Sequence, residues 1–185
     1  MSPVRLEEDG RVGTLTLHRP DLRNALDLDG VEELRAAIAD LGRRTHLRAA
    51  VLASSRGGVF CAGLEYPEIF RIDGEDNPFT KACDELSAVR IPTVCAVGDG
   101  AYGAGADLAL ACDFRVGSRD CRVRVPAAAL GIHYDGAGLR RAITAMGPQG
   151  ARRLFLAAET LDAEALLRLG FLDEIAETAE VAARA

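Results

Sequence analysis

Twice along this chain an apolar run of strand length enters a glycine-containing turn and leaves it toward a helix, and this repeated arrangement constrains the fold more than any other feature. The first copy is Val51-Leu-Ala-Ser-Ser-Arg-Gly-Gly-Val-Phe-Cys-Ala-Gly-Leu64 and the second is Thr93-Val-Cys-Ala-Val-Gly-Asp-Gly-Ala-Tyr-Gly-Ala-Gly105. A helix start leaves backbone N–H groups without intrahelical acceptors and carries partial positive charge. Glycine lets the main chain approach a ligand with no Cβ in between. Two such turns aimed at one point make a pair of donors for a developing oxyanion, each contributing about 3–4 kcal/mol in a transition state. Either turn alone is also what a tight connection between packed elements looks like.

Around the two turns, strand and helix patterns alternate. Residues 4–8 and 12–17 flank Asp9-Gly10 as a β-hairpin. Residues 28–41 place Val31, Leu34, Ile38 and Leu41 on one helical face. Residues 49–53, 93–97 and 113–117 read as short strands, and 99–105 as a glycine-rich turn opening a helix that runs through Ala111. Further helices are expected over 79–89, 138–146, 148–158 and 162–168, with a short turn or helix over 126–131. A last extended piece should end at Asp173 and Glu174, before a brief helical tail. Residues 66–79 have no clean period and are expected to be partly mobile. This alternation is that of an α/β protein. A single domain over 1–185 is expected, since 185 residues suffice to bury roughly 70% of the unfolded surface.

Composition removes several function classes. The formal net charge is -6 and no basic cluster interrupts it, so nucleic acid is not an expected partner. No run of about 18 apolar residues occurs, so no membrane span is expected. Residues 1–11 are charged and lack the apolar centre of a signal peptide, which points to a cytoplasmic protein. Cys61, Cys83, Cys95, Cys112 and Cys121 show no C-x-x-C spacing and read as reduced thiols, Cys95 and Cys112 as small core residues. His18, His46 and His133 do not cluster with them, so no metal site is expected.

Gly98-Asp-Gly-Ala-Tyr-Gly103 also fits G-x-G-x-x-G, with Asp120 about twenty residues on, where a dinucleotide-binding fold places its ribose ligand. That reading leaves the first turn unexplained. A resemblance accounts for both. His18-Arg-Pro-Asp-Leu-Arg-Asn-Ala-Leu26, Phe60-Cys-Ala-Gly-Leu-Glu65, Ala101-Tyr-Gly-Ala-Gly-Ala-Asp-Leu-Ala-Leu-Ala-Cys-Asp113, residues 126–131 and Leu169-Gly-Phe-Leu-Asp-Glu174 resemble, in order, the landmarks of the crotonase (enoyl-CoA hydratase/isomerase) superfamily.

The resemblance implies a crotonase-like spiral of repeated ββα units and an acyl-CoA substrate, with coenzyme A entering as part of that substrate and no other cofactor. It implies an oxyanion hole formed by the N–H groups of Leu64 and Ala104. Arg23, Ala25 and Ala62 would lie along the coenzyme A path. Gly63, Gly103, Ala127 and Leu130 would border the substrate, as would Phe60 and Tyr102, for which plain core packing is the rival reading. Hydratases of the family hold water with two glutamates. Asp107 stands at the first of those positions and Ala127, which transfers no proton, at the second. Asp135 matches a position where other members carry a working aspartate, and as the residue before Gly136 it also fits a helix N-cap. The resemblance therefore favours isomerase-type proton transfer through Asp135, with Asp107 secondary and His133 lining the pocket or structural. An inert acyl-CoA-binding paralogue stands as an alternative, as does hydrolysis, decarboxylation or dehalogenation through Asp135. Members of the family are commonly trimers or hexamers, so a homo-oligomer is expected; the helices that usually cap and join their subunits are largely absent after Glu174.

Overall fold

The computed structural model describes residues 2–55, 58–72 and 77–185. The hairpin forms as expected: β1 (Val4–Asp9) pairs antiparallel with β2 (Val12–Leu17), whose inward residues Leu15 and Leu17 are fully buried. Asp27 caps α1 (Leu28–Arg43), its carboxylate accepting from Gly30 N at 2.7 Å. Val31, Leu34, Ile38 and Leu41 form the buried face of that helix, as its period predicts. The chain continues through β3 (Ala49–Ser54), β4 (Val59–Cys61), a short α2 (Tyr66–Ile69) and α3 (Pro78–Ser87). Asn77 caps α3 and Pro78 fits its first turn, where no N–H is needed.

The second turn differs from expectation. Instead of a strand over 93–97 followed by a loop, β5 runs from Thr93 to Tyr102, and α4 (Ala104–Leu110) begins only after Gly103. The glycines sit within the strand because β6 (Phe114–Arg124) keeps supplying parallel partners. Register slips at Gly98 and Gly100, and pairing then resumes through Tyr102 opposite Arg124. β6 is likewise longer than the expected 113–117, since its polar residues Ser118 to Asp120 lie in a paired strand. The dinucleotide reading fails on this geometry. Gly98 and Gly100 lie within a strand, with no strand-to-helix turn between them, and Asp120 is an exposed position of β6.

Beyond β6 come a 3-10 turn (Ala128–Leu130), α5 (Gly136–Ala151) and a π-helical turn (Arg152–Leu156); α5 is interrupted at Gly147, whose φ of 68° and ψ of 170° are not helical, so the break falls between the two helices expected over 138–146 and 148–158. β7 (Leu161–Asp162), α6 (Ala163–Arg168), β8 (Glu174–Ala176) and α7 (Val181–Arg184) complete the chain, so the last extended piece starts at Glu174 instead of ending there. The described strands form one mixed sheet in the order β1-β2-β3-β5-β6-β7, with β4 added on β5 and β8 on β6. β5 pairs β3 through residues 93–95 and β4 through 98–101, so the sheet changes neighbours where the glycines fall. Arg115, itself buried, ties the C-terminal segment to this sheet through Phe171 O and Asp173.

Among the described residues no helix is long and apolar enough to cross a membrane, and no group of three His, Cys, Asp or Glu side chains is placed to hold a metal. All five cysteines are free and buried. Burial pushes the thiols of Cys61 and Cys121 up to about 12, and those of Cys83 and Cys95 well above their ordinary value. Thiolate is the reactive form, so these groups are protected twice, by access and by ionisation. Ellman's reagent at pH 8 is therefore expected to label the native protein no faster than it unfolds, and to release the full five equivalents in denaturant; rapid labelling of the native state would contradict this packing.

Candidate functional site

The first glycine turn is built on a template supplied by the loop before α1. Arg23 and Asn24 adopt left-handed backbone angles, φ 51° and 57°. Asn24, buried, accepts from Arg19 N at 2.9 Å and donates from its side chain to Val59 O at 3.1 Å. Asparagine tolerates this region better than most residues, and its amide satisfies two backbone groups at once. Ala62 N donates to Arg23 O at 3.0 Å, Leu26 N to Gly63 O at 2.8 Å and Glu65 N to Leu26 O at 2.9 Å. The Cys61 thiol donates to Asn24 O at 3.2 Å. The Arg19 guanidinium closes the assembly on Ala25 O, Asp27 and Glu65. Residues 19–27 thus hold residues 59–65 by main-chain bonds on both sides of Gly63.

That template presses the first turn against the second. Gly63 has φ +88°, and a Cβ placed on it would lie 2.8 Å from Ala104 N, 3.1 Å from Tyr102 O and 3.2 Å from Gly105 N. Only glycine fits both the angle and the space. Among the described residues neither the Leu64 nor the Ala104 amide donates to another protein group. Both residues line one cavity of about 680 Å³. Its walls are mostly apolar, with Tyr66 and Ile69 from α2, Ile72, Phe79 from α3, and Val125 and Ile132 beside the turn before α5.

Two carboxylates face this cavity. Asp107 comes from the first turn of α4. Burial raises its carboxyl above the ordinary aspartate range, while hydrogen bonds and charge from Arg141 pull it back down. Asp135 comes from the start of α5 and is its N-cap: Oδ1 accepts from Ala137 N at 2.7 Å and Gly138 N at 3.3 Å. The other oxygen, Oδ2, accepts from no described protein group. Capping and lining the cavity are therefore compatible for this residue. Tyr134 lies between the two carboxylates in sequence and packs edge-on against Phe155 at 4.7 Å. Burial lifts its phenol well above the usual value.

Of the residues singled out in the sequence, Ala62, Leu64, Tyr102, Gly103, Ala104, Asp107, Ala127, Leu130 and Asp135 border the cavity, and His133 stands exposed at its edge. Phe60 does not border it. It is fully buried in the main core, because β4 turns that side chain away from the turn, so the core reading holds for Phe60. Arg23 and Ala25 belong to the supporting loop and do not line the cavity, Arg23 being exposed and Ala25 partly buried; nor does Gly63, which is buried in the contact between the two turns. Of the segment 66–79, expected to be partly mobile, residues 73–76 lie outside the described residues. The sequence reading missed Arg141, the partner of Asp107. Its only signal was a basic residue one helical turn beyond Gly138, which carries little meaning before the tertiary contact is known.

A sequence profile described as enoyl-CoA hydratase/isomerase matches residues 7–185. The short-chain-enoyl-CoA hydratase of Clostridium acetobutylicum is 28% identical over 186 residues, covering 98% of this chain and 71% of that protein. A probable enoyl-CoA hydratase of Mycobacterium tuberculosis, echA6, is 35% identical over 171 residues, covering 92% and 69%. The solved structure of Pseudomonas aeruginosa PA4980 superimposes with a TM-score of 0.86 at 31% identity, covering 100% of this chain and 81% of that one.

The template role of Asn24 is open to direct measurement. Asn24→Ala leaves Arg19 N and Val59 O without their partner, and urea denaturation should show a loss of about 1–3 kcal/mol. A variant as stable as the parent would mean that the loop does not support the first turn.

Proposed function

We propose a function from two premises: the chain belongs to the enoyl-CoA hydratase/isomerase family, and the two residues whose amides have no protein partner line one apolar cavity that also holds carboxylates. In this reading an acyl-CoA thioester binds with its carbonyl oxygen between the N–H groups of Leu64 and Ala104. Removal of a proton from the acyl chain converts the thioester carbonyl to an enolate, and the negative charge arrives on the oxygen the amides hold. Each such donor contributes about 3–4 kcal/mol when the site is preformed and dry. The coenzyme A arm leaves the cavity over the loop that carries Arg23 and Ala25, next to the first turn. Coenzyme A is then part of the substrate, and the chemistry calls for no separate cofactor.

Isomerase-type transfer is favoured over hydration. Asp135 has one oxygen committed to capping and one uncommitted, so it is oriented and still able to accept a proton. It takes a proton from one carbon of the enoyl chain and returns it to another; the double bond migrates and no water is consumed. Hydration in this family uses a second carboxylate where this chain has the methyl of Ala127. Asp107, engaged by Arg141 through both oxygens, serves as a secondary partner and not as the proton carrier. The same two observations favour one other reading, an acyl-CoA-binding protein without turnover.

Incubation with crotonyl-CoA and with a longer 2-enoyl-CoA in D2O separates these readings. Deuterium entering the γ position without a gain of water is the expected outcome, and Asp135→Asn should slow it by roughly 10²–10⁴-fold. Mass gain by one water would replace isomerisation with hydration. Binding in titration calorimetry with neither change would leave the binding protein, and full turnover by Asp135→Asn would remove Asp135 as the proton carrier.

A further inference from the structure

Arg141 projects from α5 across the end of α4. Its Nε donates to Asp107 Oδ1 at 2.7 Å and its Nη2 to Asp107 Oδ2 at 2.9 Å, while Nη1 reaches Asp84 on α3. The inner pair is withdrawn from water: the Asp107 side chain is 4% exposed and that of Arg141 12%, against 56% for Asp84. Two parallel bonds from a planar guanidinium fix both the place and the plane of a carboxylate, which a lysine does not do. The approach depends on Gly138, one helical turn before Arg141. A Cβ there would lie 2.7 Å from Asp107 Oδ2 and 2.7 Å from Tyr134 Cε1. Three helices therefore converge on a carboxylate that lines the cavity, through a cation that does not line it.

Resting on the acyl-CoA reading above, we propose that Arg141 is a positioning residue. It clamps the Asp107 carboxylate in one orientation in the cavity wall, so that its negative charge keeps a fixed position beside the bound acyl group while Asp135 moves the proton; Asp84 anchors the clamp from the solvent side. Arg141 itself touches no substrate in this arrangement and acts through Asp107.

The groups facing Asp107 define what a titration should read. Arg141 and Asp135 approach it from α5 and its cap, Asp84 and Cys83 from α3, and Tyr134 from the segment before α5. Burial raises the Asp107 carboxyl, with Asp135 and Asp84 adding to it, while the hydrogen bonds and then the charge of Arg141, the cation of this set, favour the ionised form. Removing the guanidinium must therefore move Asp107 protonation to higher pH. Exchanging it for an ammonium keeps the charge and loses the fork.

The test combines a reading that needs no substrate with one that does. The first follows the Asp107 carboxyl carbon by NMR as pH is varied. Its midpoint should rise in Arg141→Gln and rise less in Arg141→Lys, which keeps the charge but not the paired hydrogen bonds; an unchanged midpoint in Arg141→Gln overturns the proposal. The second measures γ-deuterium exchange into crotonyl-CoA. Arg141→Lys should slow exchange by roughly 10²-fold, as expected for a misplaced catalytic group, with acyl-CoA affinity at its parent value. Arg141→Gln combined with Asp107→Asn should be no slower than Asp107→Asn alone. Parent-like exchange in Arg141→Lys, or a double variant slowed by the product of the single effects, overturns it. Should Arg141→Gln fail to fold, the exchange rate of Arg141→Lys decides alone. A parent protein that neither binds acyl-CoA nor exchanges would refute the functional reading instead, and the carboxyl titration would still decide whether the clamp exists.

Discussion

The close approach of two main-chain turns at Gly63 and Ala104 is the constraint on which the site depends. The position a Gly63 side chain would take lies 2.8 Å from Ala104 N, so the turns touch through backbone alone. This contact is not self-supporting. The bonds from Arg23 O, Leu26 N and Leu26 O hold the first turn along its length, and Asn24 and Arg19 hold those residues in turn. On the other side, parallel pairing of β5 with β6 as far as Tyr102 delivers the second turn to the same place. Two free amides beside one apolar cavity are the product of a loop, a strand pair and a glycine that meet only in the folded chain.

The carboxylates illustrate how environment divides similar groups. Asp107 is buried and doubly bonded to a guanidinium, so its geometry is fixed and its lone pairs are largely engaged. Asp135 holds two backbone amides with one oxygen and keeps the other uncommitted. A single capping interaction orients the side chain without neutralising it, which suits the proton-carrying role proposed for it. Burying an ion pair beside the cavity costs desolvation, and the bidentate geometry with the outer bond to Asp84 offsets part of that cost.

Much of this was legible in the sequence, for identifiable reasons. The hairpin and α1 follow local signals, Asp9-Gly10 and a clean helical period, and they appear where those signals place them. The glycine turns are visible as positions, but residues 99–102, which read as part of a glycine-rich turn over 99–105, belong to β5. Their strand character comes from β6, more than ten residues away in sequence, and glycines within a strand look like turn residues until the partner is known. Phe60 was offered as a pocket residue and proved to be core, since alternation along a three-residue strand is too short to tell the two faces apart. Arg141 could not be found at all, because the pairing that gives it meaning joins two helices 34 residues apart. Local chemistry was readable; contacts made by tertiary packing were not.

The central claim is that the Leu64 and Ala104 amides jointly receive the oxygen of a bound thioester. The most direct measurement is the backbone ¹H–¹⁵N spectrum on addition of an acyl-CoA thioester and, separately, of the matching thioether that lacks the carbonyl. The account predicts that both amide protons move downfield with the thioester and that neither does so with the thioether, while residues lining the apolar wall respond to both. Equal responses of the two amides to both ligands, or no response to either, would contradict it.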